Sequence, residues 1–201
     1  MAKLYFTHGT MGAQKTTQLL AAAHNFEEHG GSVLMTKPAI DTRGERELMS
    51  RIGLRRAADF LTTPDMDVAA EVLRWREARG RISAVLVDEA QFLQPAQVDQ
   101  LLALAVLHAI PVMAWGLRTD FRTRSFPGSL RLLEIAHELR ESIAMCGHGG
   151  GCGCVDAEPL RPPDARSGRG LAAQGRGSAP SSRRCGDGGT CVIRLFNRVA
   201  Q

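Results

Sequence analysis

Residues Gly9 to Thr16 read Gly-Thr-Met-Gly-Ala-Gln-Lys-Thr. A phosphate-binding loop needs Gly, four residues, Gly, Lys, then Ser or Thr. Only the second glycine is missing, and Gln14 stands in its place. The apolar run Lys3 to His8 precedes the loop, and Thr17 to Ala23 begins a helical pattern after it. Strand, loop and helix in that order confine the chain to a βα unit with an anion at the helix N-terminus. There Lys15 would place a charge at the outer phosphates, and the Thr16 hydroxyl would bind Mg²⁺. The plainer reading of the loop by itself is a glycine turn followed by a chance Lys-Thr pair.

A chain of 201 residues, 44% hydrophobic, can bury one core of ordinary size. No run reaches the roughly 18 apolar residues of a membrane helix, and no signal peptide is visible. A cytoplasmic location without a membrane partner is expected. Residues 1–146 carry 17 basic and 17 acidic side chains, and residues 147–201 carry 8 and 4. A neutral body with a mildly basic tail argues against nucleic-acid binding. All five cysteines (Cys146, Cys152, Cys154, Cys185 and Cys191) lie at or beyond position 146. In a cytosolic chain such clustering points to metal before disulfide.

Along the chain, a helix is expected over residues 16–29, ended by Gly30 and Gly31. Ser32 to Lys37 reads as a strand. The charged segment 41–56 lacks a continuous apolar face and reads as a mobile loop. It is either a solvated connector or the carrier of Arg43 or Arg51 toward phosphates. A helix follows from Asp67 to Arg79, with Val68, Val72 and Trp75 on one face. Ile82 to Glu89 is an apolar run ending in two acids, as a buried parallel strand delivers carboxylates to its carboxyl end. Asp88 would hold Mg²⁺ beside the phosphate loop; the alternative is that the two acids cap the next helix. Pro95 opens a deeply buried helix, and Ile110 to Trp115 is a further strand. Loop 117–128 holds Phe121, Phe126 and three arginines, which suits a flat, polar ligand unless the aromatics anchor the loop to the core. A helix over 130–141 and a short strand over 142–145 complete the body. Gly147 to Thr190 holds 12 glycines and six arginines, with no aromatic. It cannot bury enough apolar surface to offset its ordering entropy, so disorder or metal stapling is expected. Val192 to Phe196 could add one closing strand.

Several segments together resemble the cellular, RecA-like class of thymidine kinases. They are Gly9 to Thr17, Asp41-Thr42-Arg43, Ser50 to Leu54, Val87-Asp88-Glu89-Ala90-Gln91-Phe92-Leu93, Gly116 to Phe121 and Phe126 to Ser129. The likeness spans residues 3 to 146. It implies an α/β fold, a RecA-like parallel sheet flanked by helices, with a kinase core at 1–146. It also implies transfer of the ATP γ-phosphate to the 5′-hydroxyl of thymidine or deoxyuridine, with Glu89 as general base. The implied nucleotide contacts are Gly9, Thr10, Met11, Gly12, Ala13, Gln14, Lys15, Thr16, Asp88, Glu89, Ala90 and Gln91. Thr16 and Asp88 would organise Mg²⁺. Leu117 and Phe121 would meet the base, and Asp41 and Arg43 the phosphates. The class forms homotetramers.

The chain departs from that class in two places. Gln14 replaces a glycine, which would strain the backbone by about 1–3 kcal/mol where φ is positive. The class carries a small zinc domain with a lasso-like loop over the nucleoside. Here Cys146 matches the first zinc ligand, His148 stands in the second position, and Cys185 is a further candidate. The Gly/Arg-rich tail 147–201 otherwise takes that domain's place, and its composition resembles a shifted-frame translation of a GC-rich gene. Two other readings stay open: a nucleotide-binding protein with weakened catalysis, and an ATPase in which Glu89 activates water.

Overall fold

The computed structural model describes residues 1–42, 44 and 46–144. Arg43, Cys146, His148, Cys185 and the predicted tail 147–201 lie outside the described residues. The chain runs β1 (Leu4–Gly9), α1 (Lys15–Glu28), β2 (Val33–Pro38), β3 (Glu47–Met49), β4 (Arg55–Ala57), β5 (Phe60–Thr62) and α2 (Val68–Arg79). It continues through β6 (Ala84–Val87), a 3-10 turn (Ala90–Phe92), α3 (Pro95–Leu107), β7 (Val112–Gly116), α4 (Pro127–Ile135) and β8 (Glu138–Ser142).

Six strands form one sheet in the order β5-β2-β6-β7-β1-β8, parallel at every pairing. A parallel sheet buries both faces at its centre, so its central strands are largely apolar, while the edge strand β8 is polar and mostly exposed. Along β6 the side chains divide by alternation: Val85 and Val87 join one core, Ala84 and Leu86 the other. The first core receives Val68 and Val72 of α2, Val98, Leu101 and Leu104 of α3, and Leu132 of α4. The second receives Leu19, Leu20 and Ala23 of α1, with Leu48 and Trp115. The result is the expected α/β architecture, a parallel sheet between helices.

Three local expectations need correction, and one strand is added to those expected. Segment 41–56 contains an antiparallel hairpin, β3 with β4, pairing Glu47 with Ala57 and Met49 with Arg55. One inward residue, Leu48 at 1% exposure, anchors it, a pattern too short to register as periodicity. Phe60 to Thr62 adds an edge strand beside β2. The last helix starts earlier, with Pro127 in its first turn, and ends at Ala136, whose backbone is extended. His137 then donates its N–H to the Leu4 carbonyl and accepts the Leu4 N–H at Nδ1, 3.0 Å. That capture turns 138–142, expected to be mostly helix, into strand β8 on β1. Finally, the helix opened by Pro95 is not deeply buried to its end, where Leu107 is 75% exposed.

Candidate active site

Because β6, β7 and β1 are adjacent and parallel, their carboxyl ends deliver three loops to one edge of the sheet, where ligands of such folds sit. The loop after β1 carries Gly9 to Thr16, that after β6 carries Asp88 and Glu89, and that after β7 begins at Leu117. The β3–β4 hairpin closes the space from the side. A cavity of about 760 Å³ results, lined by Met11, Gly12, Gln14, Lys15, Thr16, Asp41, Asp88, Glu89, Gln91 and Leu117 among the expected residues. Lys37, Ser50 and Arg51 line it as well.

The phosphate loop wraps tightly enough that Gln14 takes a left-handed conformation, φ 54° and ψ 29°, at the N-cap of α1. This is the positive φ at which the sequence expects strain. Gly9 is required by a close approach, since a Cβ there would lie 2.4 Å from the Ser142 carbonyl oxygen. Lys15 Nζ donates to the carbonyls of Gly9 at 3.1 Å and Thr10 at 2.7 Å, which aims it along the inside of the loop. Ser142 Oγ donates to the Ala13 carbonyl at 2.6 Å, and Gln18 Nε2 donates to Ser142 Oγ at 2.7 Å. Sequence reasoning missed both supports. Ser142 meets the loop across 129 residues of chain and is itself held by Gln18 of α1 across 124, and no local pattern marks either contact.

Thr16 Oγ1 donates to Asp88 Oδ2 at 2.9 Å, joining the phosphate loop to β6. Asp88 is 5% exposed. Burial, reinforced by the charge of Glu89, pushes its carboxyl up to about 6 from 3.8; the Thr16 hydrogen bond opposes that rise. Among the described residues no group of three His, Cys, Asp or Glu side chains is placed to hold a metal. A hydroxyl and a carboxylate side by side do fit Mg²⁺, which takes few protein oxygens and completes its shell with phosphates and water.

Glu89 also has left-handed backbone, φ 50° and ψ 38°, at the start of the 3-10 turn. Its Oε2 accepts a 2.6 Å bond from Gln91 Nε2, while Gln91 Oε1 accepts the Leu117 N–H at 3.0 Å. Gln91, 1% exposed, therefore ties the Glu89 carboxylate to the loop after β7. Sequence reasoning put Gln91 among the nucleotide contacts; the structure gives its amide two protein partners. Lys37, buried to 1%, pairs with Asp41 at 3.2 Å.

The other expected residues among those described fall outside the cavity lining. Ala13 and Ala90 are buried at 3% and 0% exposure. Gly9 and Thr10 present their carbonyls to Lys15. Phe121 is 49% exposed, with the Arg122 guanidinium 5.2 Å from its ring centre, so it neither faces the cavity nor anchors the loop. Phe126 takes the anchoring part, edge-on to Phe92 at 5.6 Å. Asp120 fixes the loop by accepting the N–H groups of Arg122 and Arg124.

A family model described as thymidine kinase matches residues 2–157. The chain is 50% identical over 150 residues to the thymidine kinase of Enterobacteria phage T4, covering 74% of this chain and 77% of that one. It is 48% identical over 151 residues to the thymidine kinase of Rhizobium meliloti, with the same coverage of each. It is 47% identical over 150 residues to that of Ruegeria pomeroyi, covering 74% and 75%. A solved Pif1 helicase from Candida albicans, 13% identical with a TM-score of 0.40 over 70% of this chain and 36% of that one, is too distant to carry an argument. The matched span of the family model contains the whole phosphate loop, the Asp88-Glu89 pair and the loop after β7, so the chain belongs to the thymidine kinase family and is a kinase.

Proposed function

We propose that this kinase moves the γ-phosphate of ATP to the 5′-hydroxyl of thymidine or deoxyuridine. One observation carries the reading: Lys15, Thr16, Asp88 and Glu89 all face one cavity at the carboxyl edge of the sheet. Glu89 takes the proton of the 5′-hydroxyl as general base. The sugar oxygen forms a bond to the γ-phosphorus, the bond to the β-phosphate oxygen breaks, and ADP leaves with that electron pair. Lys15 offsets charge on the moving group. Thr16 and Asp88 would hold Mg²⁺, which when bound neutralises phosphate charge. Gln91 orients Glu89, and Asp41 and Arg43 are assigned to the phosphates by the family resemblance. Leu117 meets the nucleoside base. Phe121, exposed as it stands, reaches the base only by movement of its loop.

The test is ADP release by purified protein given ATP and Mg²⁺. Release that requires thymidine supports the kinase. Equal release without nucleoside favours the ATPase reading, and ATP binding without release favours weakened catalysis. The homotetramer is likewise a proposal, and sedimentation measures it. Among the described residues no helix is long and apolar enough to cross a membrane. A cytoplasmic location and the lack of a nucleic-acid partner rest on the sequence reading. Zinc at Cys146, His148 and Cys185 is a question for elemental analysis.

A further inference from the structure

We propose that Arg51 is a phosphate-binding residue of this site, a guanidinium that the β3–β4 hairpin lays across the phosphate loop to grip the triphosphate of ATP. The inference rests on the kinase reading and adds an element to it, the hairpin as a clamp.

Arg51 is carried by a fixed turn. The Ser50 N–H donates to the Leu54 carbonyl at 2.8 Å, the Leu54 N–H to Ser50 Oγ at 3.0 Å, and the Gly53 N–H to the Ser50 carbonyl at 3.1 Å. Leu48, 1% exposed in the core, pins the strand that leads into the turn. Arg51 is therefore placed by packing three residues away, not by chance on a loose loop.

Its guanidinium lies on the phosphate loop itself. A Cβ built on Gly12 would stand 3.2 Å from Arg51 Nη1, and Gly12 has φ +84°. Glycine at that position thus serves twice: it reaches the left-handed backbone, and it leaves room for the arginine. Arg51 lines the same cavity as Lys15, Thr16, Asp88 and Glu89.

Among the described residues, the charge of Arg51 is uncommitted. Arg56, Arg74, Arg79, Arg131 and Arg140 each pair with a carboxylate. No hydrogen bond or ion pair engages Arg51 among the described residues, although Asp41, Glu47, Asp88 and Glu89 line the same cavity. A planar fork of donors, left over beside a loop built for phosphate, matches the paired oxygens of a phosphate group.

The experiment compares wild type, Arg51→Ala, Arg51→Lys and Arg55→Ala, the last removing the same charge from the same hairpin outside the cavity lining. ATP affinity is measured without nucleoside, and kcat/KM for ATP and thymidine is measured with both substrates. Arg51→Ala should weaken ATP affinity and kcat/KM for ATP by about 10- to 100-fold. The KM for thymidine should stay within about twofold, which a general structural defect would not spare. Lysine should restore part of the loss, since it keeps the charge but not the fork. Arg55→Ala should match wild type. If Arg51→Ala fails to fold, Arg51→Met retains the stem and gives the same comparison. Equal ATP affinity in Arg51→Ala and Arg55→Ala overturns the proposal. If wild type binds ATP but leaves thymidine unphosphorylated, the kinase reading fails alone, and the affinity comparison still decides the role of Arg51.

Discussion

Gln14 and Glu89, two side-chain-bearing residues of the site, hold left-handed backbone, at φ 54° and φ 50°. For an L-residue such a conformation costs roughly 1–2 kcal/mol. It persists because the neighbours fix it: the Lys15 bonds and Ser142 on one side, Gln91 on the other. Gln14→Gly should therefore stabilise the protein by about 1 kcal/mol, net of glycine's greater freedom when unfolded, and raise Tm by about 2–4 °C. A calorimetric Tm at or below wild type would remove the strain argument.

Asp88 is the other residue-scale case. Its folded pKa of about 6 lies above the unfolded value of 3.8, so the neutral form is the one the fold favours. The stability it contributes is fully present below about pH 4 and is lost as pH rises through about 6. In EDTA, wild type should lose stability over that window, and Asp88→Asn should lose less. At pH 7 the variant should be more stable, on the order of 1–3 kcal/mol, while losing activity. Urea denaturation at both pH values checks the sign; a variant less stable than wild type at pH 7 contradicts the account of a buried charge.

At the scale of elements, the 3-10 turn couples two strand ends through one amide. Gln91→Glu keeps an acceptor for the Leu117 N–H but sets a second negative charge against Glu89. Gln91→Leu removes both bonds. Each should lower kcat. The leucine variant should also lose roughly 1–3 kcal/mol of stability, because it leaves the Leu117 N–H without its partner. Identical kcat in Gln91→Leu and wild type would show that Glu89 needs no such positioning. Leu48 is the buried apolar anchor of the hairpin strands, so Leu48→Ala should cost about 2–5 kcal/mol. It should raise the KM for ATP through the displaced Arg51, and an unchanged KM for ATP would separate the hairpin from the site.

Across the whole molecule, what the sequence made legible was what local chemistry specifies. The four central strands are apolar runs because both of their faces are covered. The phosphate loop and the Asp88-Glu89 pair announce themselves by residue type and spacing. The two edge strands were illegible as such: Phe60 to Thr62 is too short for a period, and Glu138 to Ser142 is polar and becomes strand only because β1 captures His137. The supports of the site were hidden for the same reason. Ser142 reaches Ala13 from 129 residues away, and nothing in either neighbourhood foretells it. Phe121 could not be placed from sequence either: residue type and segment do not tell that its ring sits 49% exposed beside Arg122.

The central claim is that Glu89 at the end of β6 activates a nucleoside hydroxyl for attack on ATP. The most direct measurement supplies ATP radiolabelled in the γ-phosphate, together with thymidine, and follows the label. Wild type should place it on the 5′-oxygen of thymidine. Glu89→Gln should bind ATP normally and transfer roughly 10²- to 10⁴-fold more slowly. Label released as free phosphate, or transfer by Glu89→Gln at the wild-type rate, would contradict the account.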